Sequence, residues 1–276
     1  MVGMGKWVHY LFLVLAFTIV IMVVSSACPA NCTANGGFSI WLVVLVCAAV
    51  SSIAGFAFAG ISGALLFQMT HDKVYTLQII LAASIALQSY SVWKLRRVID
   101  LRILLPYFAG GLMTVLPGVH LFLNTPAAIH LIGLGFFLVA YATFMLIRPP
   151  LRLQRNSLIG QITMGALGGI TGATAAFPGA FVTIWCSAHG WEKEHQRAIY
   201  QPFILGMQFA VSAAFAFVQP GQELRIEVVQ FALPAILGAY VGLRVFDRLS
   251  TAQFNRLVGA FLLLSGVVLC AKGSIH

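Results

Sequence analysis

A chain of 276 residues that is 60% hydrophobic and only 8% charged falls far below the roughly 25% charge of ordinary soluble domains. So few charges cannot cover a water-facing surface, which excludes a soluble globular domain and leaves a polytopic membrane protein. The net charge of +9 would point to nucleic acid in a soluble protein, but here the cations lie in loops between apolar runs, so the expected surroundings are a lipid bilayer and not nucleic acid.

Apolar runs long enough to cross about 30 Å of hydrocarbon as helix occupy 8–27, 39–57, 76–93, 103–122, 128–147, 157–175, 198–218, 227–246 and 257–271, with shorter pieces at 60–70 and 177–190. They are continuous rather than alternating, so they are helices and not barrel strands. The expected fold is all-α, with about 9 to 11 membrane segments.

The first run follows Lys6 and ends in the small residues "SSAC", as a secretory signal does. Its apolar core is longer than the usual signal, so the expectation is a retained span with a cytoplasmic N-terminus. In the next loop, Cys28 and Cys32 flank "PAN". A local disulfide and two unpaired thiols both fit that spacing, and the pair offers too few ligands for a metal. Cys47, Cys186 and Cys270 lie in apolar runs as small core residues.

Loop charge sets orientation. Of the 16 Lys and Arg, all but Lys73, Arg225 and Lys272 fall near Lys6, Lys94–Arg102, Arg148–Arg155, Lys193–Arg197 and Arg244–Arg256. Short loops rich in Lys and Arg stay in the cytoplasm. Between the inside loop at Arg102 and the outside loop near Arg225 the parity of crossings has to be odd. The piece at 177–190 therefore either crosses or pairs with 157–175 as a re-entrant hairpin.

Two phrases repeat: "GISGA" at Gly60–Ala64 and "GITGA" at Gly169–Ala173, followed by "LRI" at Leu101 and Leu224, then Leu131–Gly133 within "HLIGLGFFL" and Leu257–Gly259 within "RLVGAFLLL". The offset grows along the chain, implying an insertion of about 14 residues around "SAHGWEKEHQR" in the second copy. The loop before the first "LRI" is cationic and the equivalent "QPGQE" is not, whereas "LNTPAAIH" lacks the cations that its equivalent carries at Arg248 and Arg256. Opposite loop charge in two copies is the mark of inverted-topology repeats. The expected organisation is an extra N-terminal span and outside loop at 1–38, a first transmembrane repeat at 39–147 and a second at 148–276.

The Gly-rich phrases break apolar runs at what read as equivalent places. Paired broken helices point to a transporter's midplane site, because a helix start leaves N–H groups unbonded and its dipole favours an anion. This makes Gly60, Ser62, Gly63, Gly169, Thr171, Gly172, Thr174, Pro178 and Gly179 candidate substrate-binding residues, with Pro178 in the first turn of the second half-helix. Close helix packing by small residues is the competing explanation. Gln78 and Gln88 follow the first phrase and Gln201 and Gln208 the second; an amide in hydrocarbon must be bonded, either to an oxyanion or to another helix.

His71, His120, His130 and His189 lie near span ends, the wrong depth for haem or a proton relay. The turn "GWEKE" between His189 and His195 reads as solvated. No catalytic motif is present, and the seven Asp and Glu are nearly all in loops, so neither an enzyme nor a cofactor is expected. Rival readings are an anion channel and an intramembrane redox or enzyme protein using the His residues.

The phrases "AGFAFAGISGA" and "GALGGITGA", the duplicated plan and the length resemble the sulfite exporter TauE/SafE family of membrane permeases, from about residue 39 onward. Typical members follow the second phrase with consecutive Gly before a Pro, where this chain has "TAAFPGAF". The resemblance implies a permease for a small sulfur-containing anion, of the sulfite, thiosulfate or organosulfonate class, in the bacterial cytoplasmic membrane.

Overall fold

The computed structural model describes residues 36–56, 58–147, 157–218 and 225–275. The run at 8–27 and the Cys28 and Cys32 pair lie outside the described residues. The elements are α1 (Gly36–Ala54), α2 (Phe58–Thr70), α3 (Lys73–Leu95), α4 (Leu101–Asn124), α5 (Ala127–Ile147), α6 (Leu158–Ala175), α7 (Ala180–Ala188), α8 (Lys193–Val218), a 3-10 turn (Ile226–Phe231), α9 (Ala232–Asp247) and α10 (Thr251–Ile275). Among the described residues there is no strand, and six helices are long and apolar enough to cross a membrane: α1, α3, α4, α8, α9 with its 3-10 lead, and α10. A shorter apolar stretch, Ile132–Thr143, lies in α5.

Every apolar run from residue 39 onward is a helix here, usually extended by a few residues. The largest extensions are at α10, which begins at Thr251 rather than near 257, and at α8, which begins at Lys193 rather than near 198. Charge lowers hydropathy without breaking a helix, so the polar first turns were invisible to an apolar-run criterion.

Local chemistry fixes the helix ends. Asp100 starts α4, its carboxylate accepting from Arg102 N at 2.9 Å, and Ser157 starts α6 by accepting from Gly160 N at 3.1 Å. Each side chain satisfies an N–H that the helix cannot.

The helices do not pack in chain order. α4 packs most extensively on α6, α9 on α1 and α5 on α10. Lesser contacts join α9 to α3 and α4 to α8. The result is one bundle of α1, α2, α3 and α9, a second of α6, α7, α8 and α4, and a third pair of α5 with α10. Glycine sets the two closest seams. A Cβ on Gly110 would fall 1.9 Å from Ile162 O, and one on Gly165 2.1 Å from Tyr107 O, across the α4–α6 seam. Across α1–α9, Cβ atoms on Gly238 and Gly242 would fall 2.3 Å from Leu45 O and 2.2 Å from Ala49 O. Only a residue without a side chain lets the backbones come this near.

Ion pairs tie α3 to the α9 region at both ends: Lys94 Nζ to Asp247 Oδ2 at 2.6 Å, and Arg225 Nη2 to Asp72 Oδ2 at 3.2 Å. The outer surfaces of the helices carry large apolar side chains such as Met113, Phe136 and Phe217, all exposed, as lipid-facing helices require.

Candidate functional site

Two chain breaks meet in the middle of the structure. The first follows α1, where Gly55 turns with φ of 86° before Phe56; the second follows α6, where Ala176 turns with φ of 54° before Phe177. The two Phe rings touch edge to face, centroids 6.0 Å apart. After each break a short helix begins, α2 at Phe58 and α7 at Ala180, packed against the helix before it.

The carbonyl ends at these breaks are bonded. At the first, Ser52 O accepts from Arg197 Nη2 at 2.7 Å, Ala54 O from Tyr200 Oη at 2.6 Å and Phe56 O from Ser51 Oγ at 2.7 Å. At the second, Thr171 O accepts from Phe177 N at 3.1 Å, and the single proton of Thr171 Oγ1 is donated to Leu167 O at 2.9 Å or shared with Phe177 O at 3.1 Å. The starts of α2 and α7 are different. Their first N–H groups have no intrahelical acceptor, and Gly179, the N-cap of α7, brings no side chain to them.

A small cavity of about 20 Å³ lies between those two starts, lined by Phe58, Ala59, Pro178 and Gly179 together with Ser84, Gln88 and Gln208. Beside it a larger cavity of about 220 Å³ runs along the seam between the first two bundles. Its walls include Leu77, Leu81, Pro178, Gln208, Val211 and Phe215. Gln208, Ser84 and Pro178 line both cavities. Neither is lined by a charged side chain, so any field on a ligand comes from backbone dipoles and amides.

The amides are held with one end to spare. Gln88 Nε2 donates to Gly55 O at 3.2 Å, leaving a second N–H on that nitrogen and an Oε1 without a partner. Gln208 Nε2 hydrogen-bonds Ser84 Oγ, and its Oε1 has no partner. Because a hydroxyl both donates and accepts, Gln208 can bond Ser84 through either end and present the other to the cavity.

The residues singled out in the sequence separate into three sets. Gln88, Gly172, Thr174, Pro178, Gly179 and Gln208 line one or both cavities. Thr171 is buried in the break itself. Gln201 is fully buried beside Gly55, where a Cβ would come within 3.0 Å of its Nε2, and both its amide atoms lack partners.

The rest stand elsewhere. Ser62 Oγ donates to Phe58 O at 2.7 Å within α2, where Gly60 and Gly63 also sit. Gln78 Oε1 accepts from Arg225 N at 3.2 Å near the Asp72 end. Gly169 faces α4, where a Cβ would meet Thr114 Oγ1 at 2.2 Å, so this glycine serves close packing.

Several expectations need correction. "GISGA" lies after its break, on α2, and "GITGA" before its break, on α6, so the two phrases are not at equivalent places. The breaks themselves carry Ala54-Gly55-Phe56 and Ala175-Ala176-Phe177. Pro178 stands one residue outside the N-cap of α7 rather than in its first turn. The turn between His189 and His195 is exposed at Gly190, Glu192, Glu194 and His195, as expected, but Lys193 within it and His189 before it are buried, and His189 stacks on Trp191 at 4.7 Å.

Sequence reading missed Gly55, Ser84, Arg197 and Tyr200. The shared "A-G/A-F" of the two breaks could have located Gly55. The i, i+4 spacing of Lys193, Arg197 and Gln201 put all three on one face of a helix.

Comparison with known families gives one match: the model described as Sulfite exporter TauE/SafE covers residues 40–269. No curated protein and no solved structure matches the chain.

Proposed function

Since the chain belongs to the sulfite exporter TauE/SafE family of membrane transporters, we propose that it carries a small sulfur-containing monoanion by alternating access. The observation that carries this reading is the pair of short-helix starts facing one cavity with Gln88 and Gln208 between them. A helix start is equivalent to roughly +0.5 of an elementary charge, so two starts balance about one negative charge. A second charge in an apolar cavity would lack compensation and be costly. The free Oε1 of Gln88 adds an acceptor, which suits an anion carrying its own donor, such as hydrogen sulfite or an amino- or hydroxy-sulfonate.

The architecture we infer is two inverted repeats, residues 39–147 and 148–276. The order long helix, break, short helix, then three further helices occurs twice among the described residues. The contacts pair accordingly: α4 on α6 mirrors α9 on α1, and α4 on α8 mirrors α9 on α3. With α1–α2 and α6–α7 as re-entrant pairs, the loops near Lys94, Arg148, Lys193 and Arg244 all fall on one side, the cytoplasmic side by the charge rule. The moving bodies are then not the sequence halves. Exchange of α4 and α9 makes them the two four-helix bundles, and the cavities lie on the seam between those bundles, where an alternating site has to be.

Two measurements test this. Cys introduced as Val98→Cys and Gly221→Cys is expected to react with a membrane-impermeant thiol reagent from opposite sides of the membrane; labelling from the same side would remove the inverted repeat. Purified protein in proteoliposomes is expected to exchange sulfite saturably in mildly acidic buffer, with sulfate at least tenfold poorer as a competitor. Unsaturable flux, or sulfate competing as well as sulfite, would count against a monoanion carrier.

A further inference from the structure

Near the end of the molecule that holds Lys94 and Asp247, a guanidinium is buried without a carboxylate. Arg197 is completely inaccessible, and among the described residues no carboxylate comes within 4.0 Å of it. The nearby acids are engaged elsewhere: Asp247 pairs with Lys94 at 2.6 Å and Glu194 with Lys193 at 3.4 Å. Arg197 gives one hydrogen bond, Nη2 to Ser52 O, and lies 4.1 Å from the centroid of the Phe246 ring. Its Nε and Nη1 have no partner. Fully buried beside it on the same helix face, Gln201 leaves both amide atoms unbonded, and Ser52 Oγ is unbonded too.

A buried cation is stable only when paired and hydrogen-bonded. The C-terminus of α1 supplies part of that through its dipole, and the ring of Phe246 another part. Three donor positions of a planar fork, an amide and a hydroxyl remain unfilled, a set that matches the oxygens of a small oxyanion. Phe56 and Tyr200, in edge contact with centroids 6.2 Å apart, stand beside Gly55 between this cluster and the small central cavity.

We propose that Arg197, Gln201 and Ser52 form a second anion station on the Lys94 side of the carrier. In the conformation seen, Arg197 is held on Ser52 O; withdrawal of the α1 tip from α8 frees its fork to take the anion passing to or from the central cavity. Pro202, which leaves Ala198 O without its intrahelical bond, gives α8 a weak point beside Gln201 for that movement. The proposal rests on the anion-carrier reading above and adds a residue set, distinct from the central one, that acts from one side only.

The test uses the full chain reconstituted in one orientation, with sulfite, thiosulfate and taurine as probes and the half-saturating concentration measured from each side. Arg197→Gln is expected to raise that value at least tenfold on the Lys94 side and less than twofold on the other, with partial recovery in Arg197→Lys. An unchanged value on the Lys94 side overturns the station. Shifts in opposite directions on the two sides also overturn it, because they mark a conformational latch and not a binding group. Should Arg197→Gln fail to fold, Gln201→Leu gives the same reading: at least a threefold rise on the Lys94 side alone, with apo thermal stability equal to or above wild type, since an unbonded amide has been removed. Equal values on both sides in Gln201→Leu would reject the proposal. If the wild type moves none of the three anions, the carrier reading itself fails and the station falls with it.

Discussion

Replacing Gln88 and Gln208 together by Leu is expected to lower transport at least a hundredfold while leaving the protein folded. In the proposed function each amide bonds the cargo through its free end, and a hydrogen bond to a charged group contributes about 1.5–3 kcal/mol. Two such bonds lost amount to about 3 kcal/mol at the low end. At 1.4 kcal/mol per factor of ten, that is about a hundredfold. Folding should barely change. The replacements forfeit the bonds to Gly55 O and to Ser84 Oγ, but each also removes a buried oxygen without a partner, and unsatisfied buried acceptors cost about 1–3 kcal/mol. Proteoliposome uptake and thermal unfolding in detergent separate the two effects. The single variants are needed as well, because groups on one ligand do not add independently. Uptake within threefold of wild type in the double variant would remove both residues from the site.

Gly110→Ala is expected to destabilise the fold more than any other single methyl group added to a described glycine. Its Cβ would lie 1.9 Å from Ile162 O and 2.8 Å from Ile162 C. A backbone carbonyl inside a helix cannot swing aside as a side chain can, so α4 and α6 must separate along the seam where they pack most closely. Overpacking of this kind costs about 1–3 kcal/mol, occasionally more, and the rigid obstacle puts Gly110→Ala at the upper end. At about 2–4 °C per kcal/mol for a chain of this size, the melting temperature should fall by roughly 6–12 °C. Gly133→Ala is the control, since nothing lies within 4 Å of a Cβ there; it should melt with wild type or slightly above, from the better helix propensity of Ala. Equal melting of the Gly110→Ala and Gly133→Ala variants would mean that the α4–α6 seam is looser than drawn.

How much of this was legible in the chain differs from residue to residue. The helices from 39 onward could be read directly, down to the short pieces at 60–70 and 177–190, because a helix in hydrocarbon has to satisfy its own backbone and therefore needs a long apolar run. That Pro178 and Gly179 stand at the second break was legible for a local reason also: few other residues end one helix and start another within four positions. Gln88 and Gln208 were singled out because an amide in an apolar run has to be explained by something, and both line the cavities. The same reasoning selected Gln78, which instead bonds Arg225 N, and composition cannot distinguish the two outcomes.

Amino-acid sequence by itself determined that the protein spans a membrane as helices and roughly where those helices run, since both follow from the polarity of a contiguous stretch in its solvent. Only tertiary structure decided the rest. It showed that α4 packs on α6 and α9 on α1, that Gly169 is a packing glycine, that Phe56 and Phe177 meet, and that Arg197 is folded inward onto Ser52 instead of facing water. Such facts depend on which distant segments share a seam. A glycine needed for close approach and one needed at a ligand are the same letter until the neighbouring helix is in place.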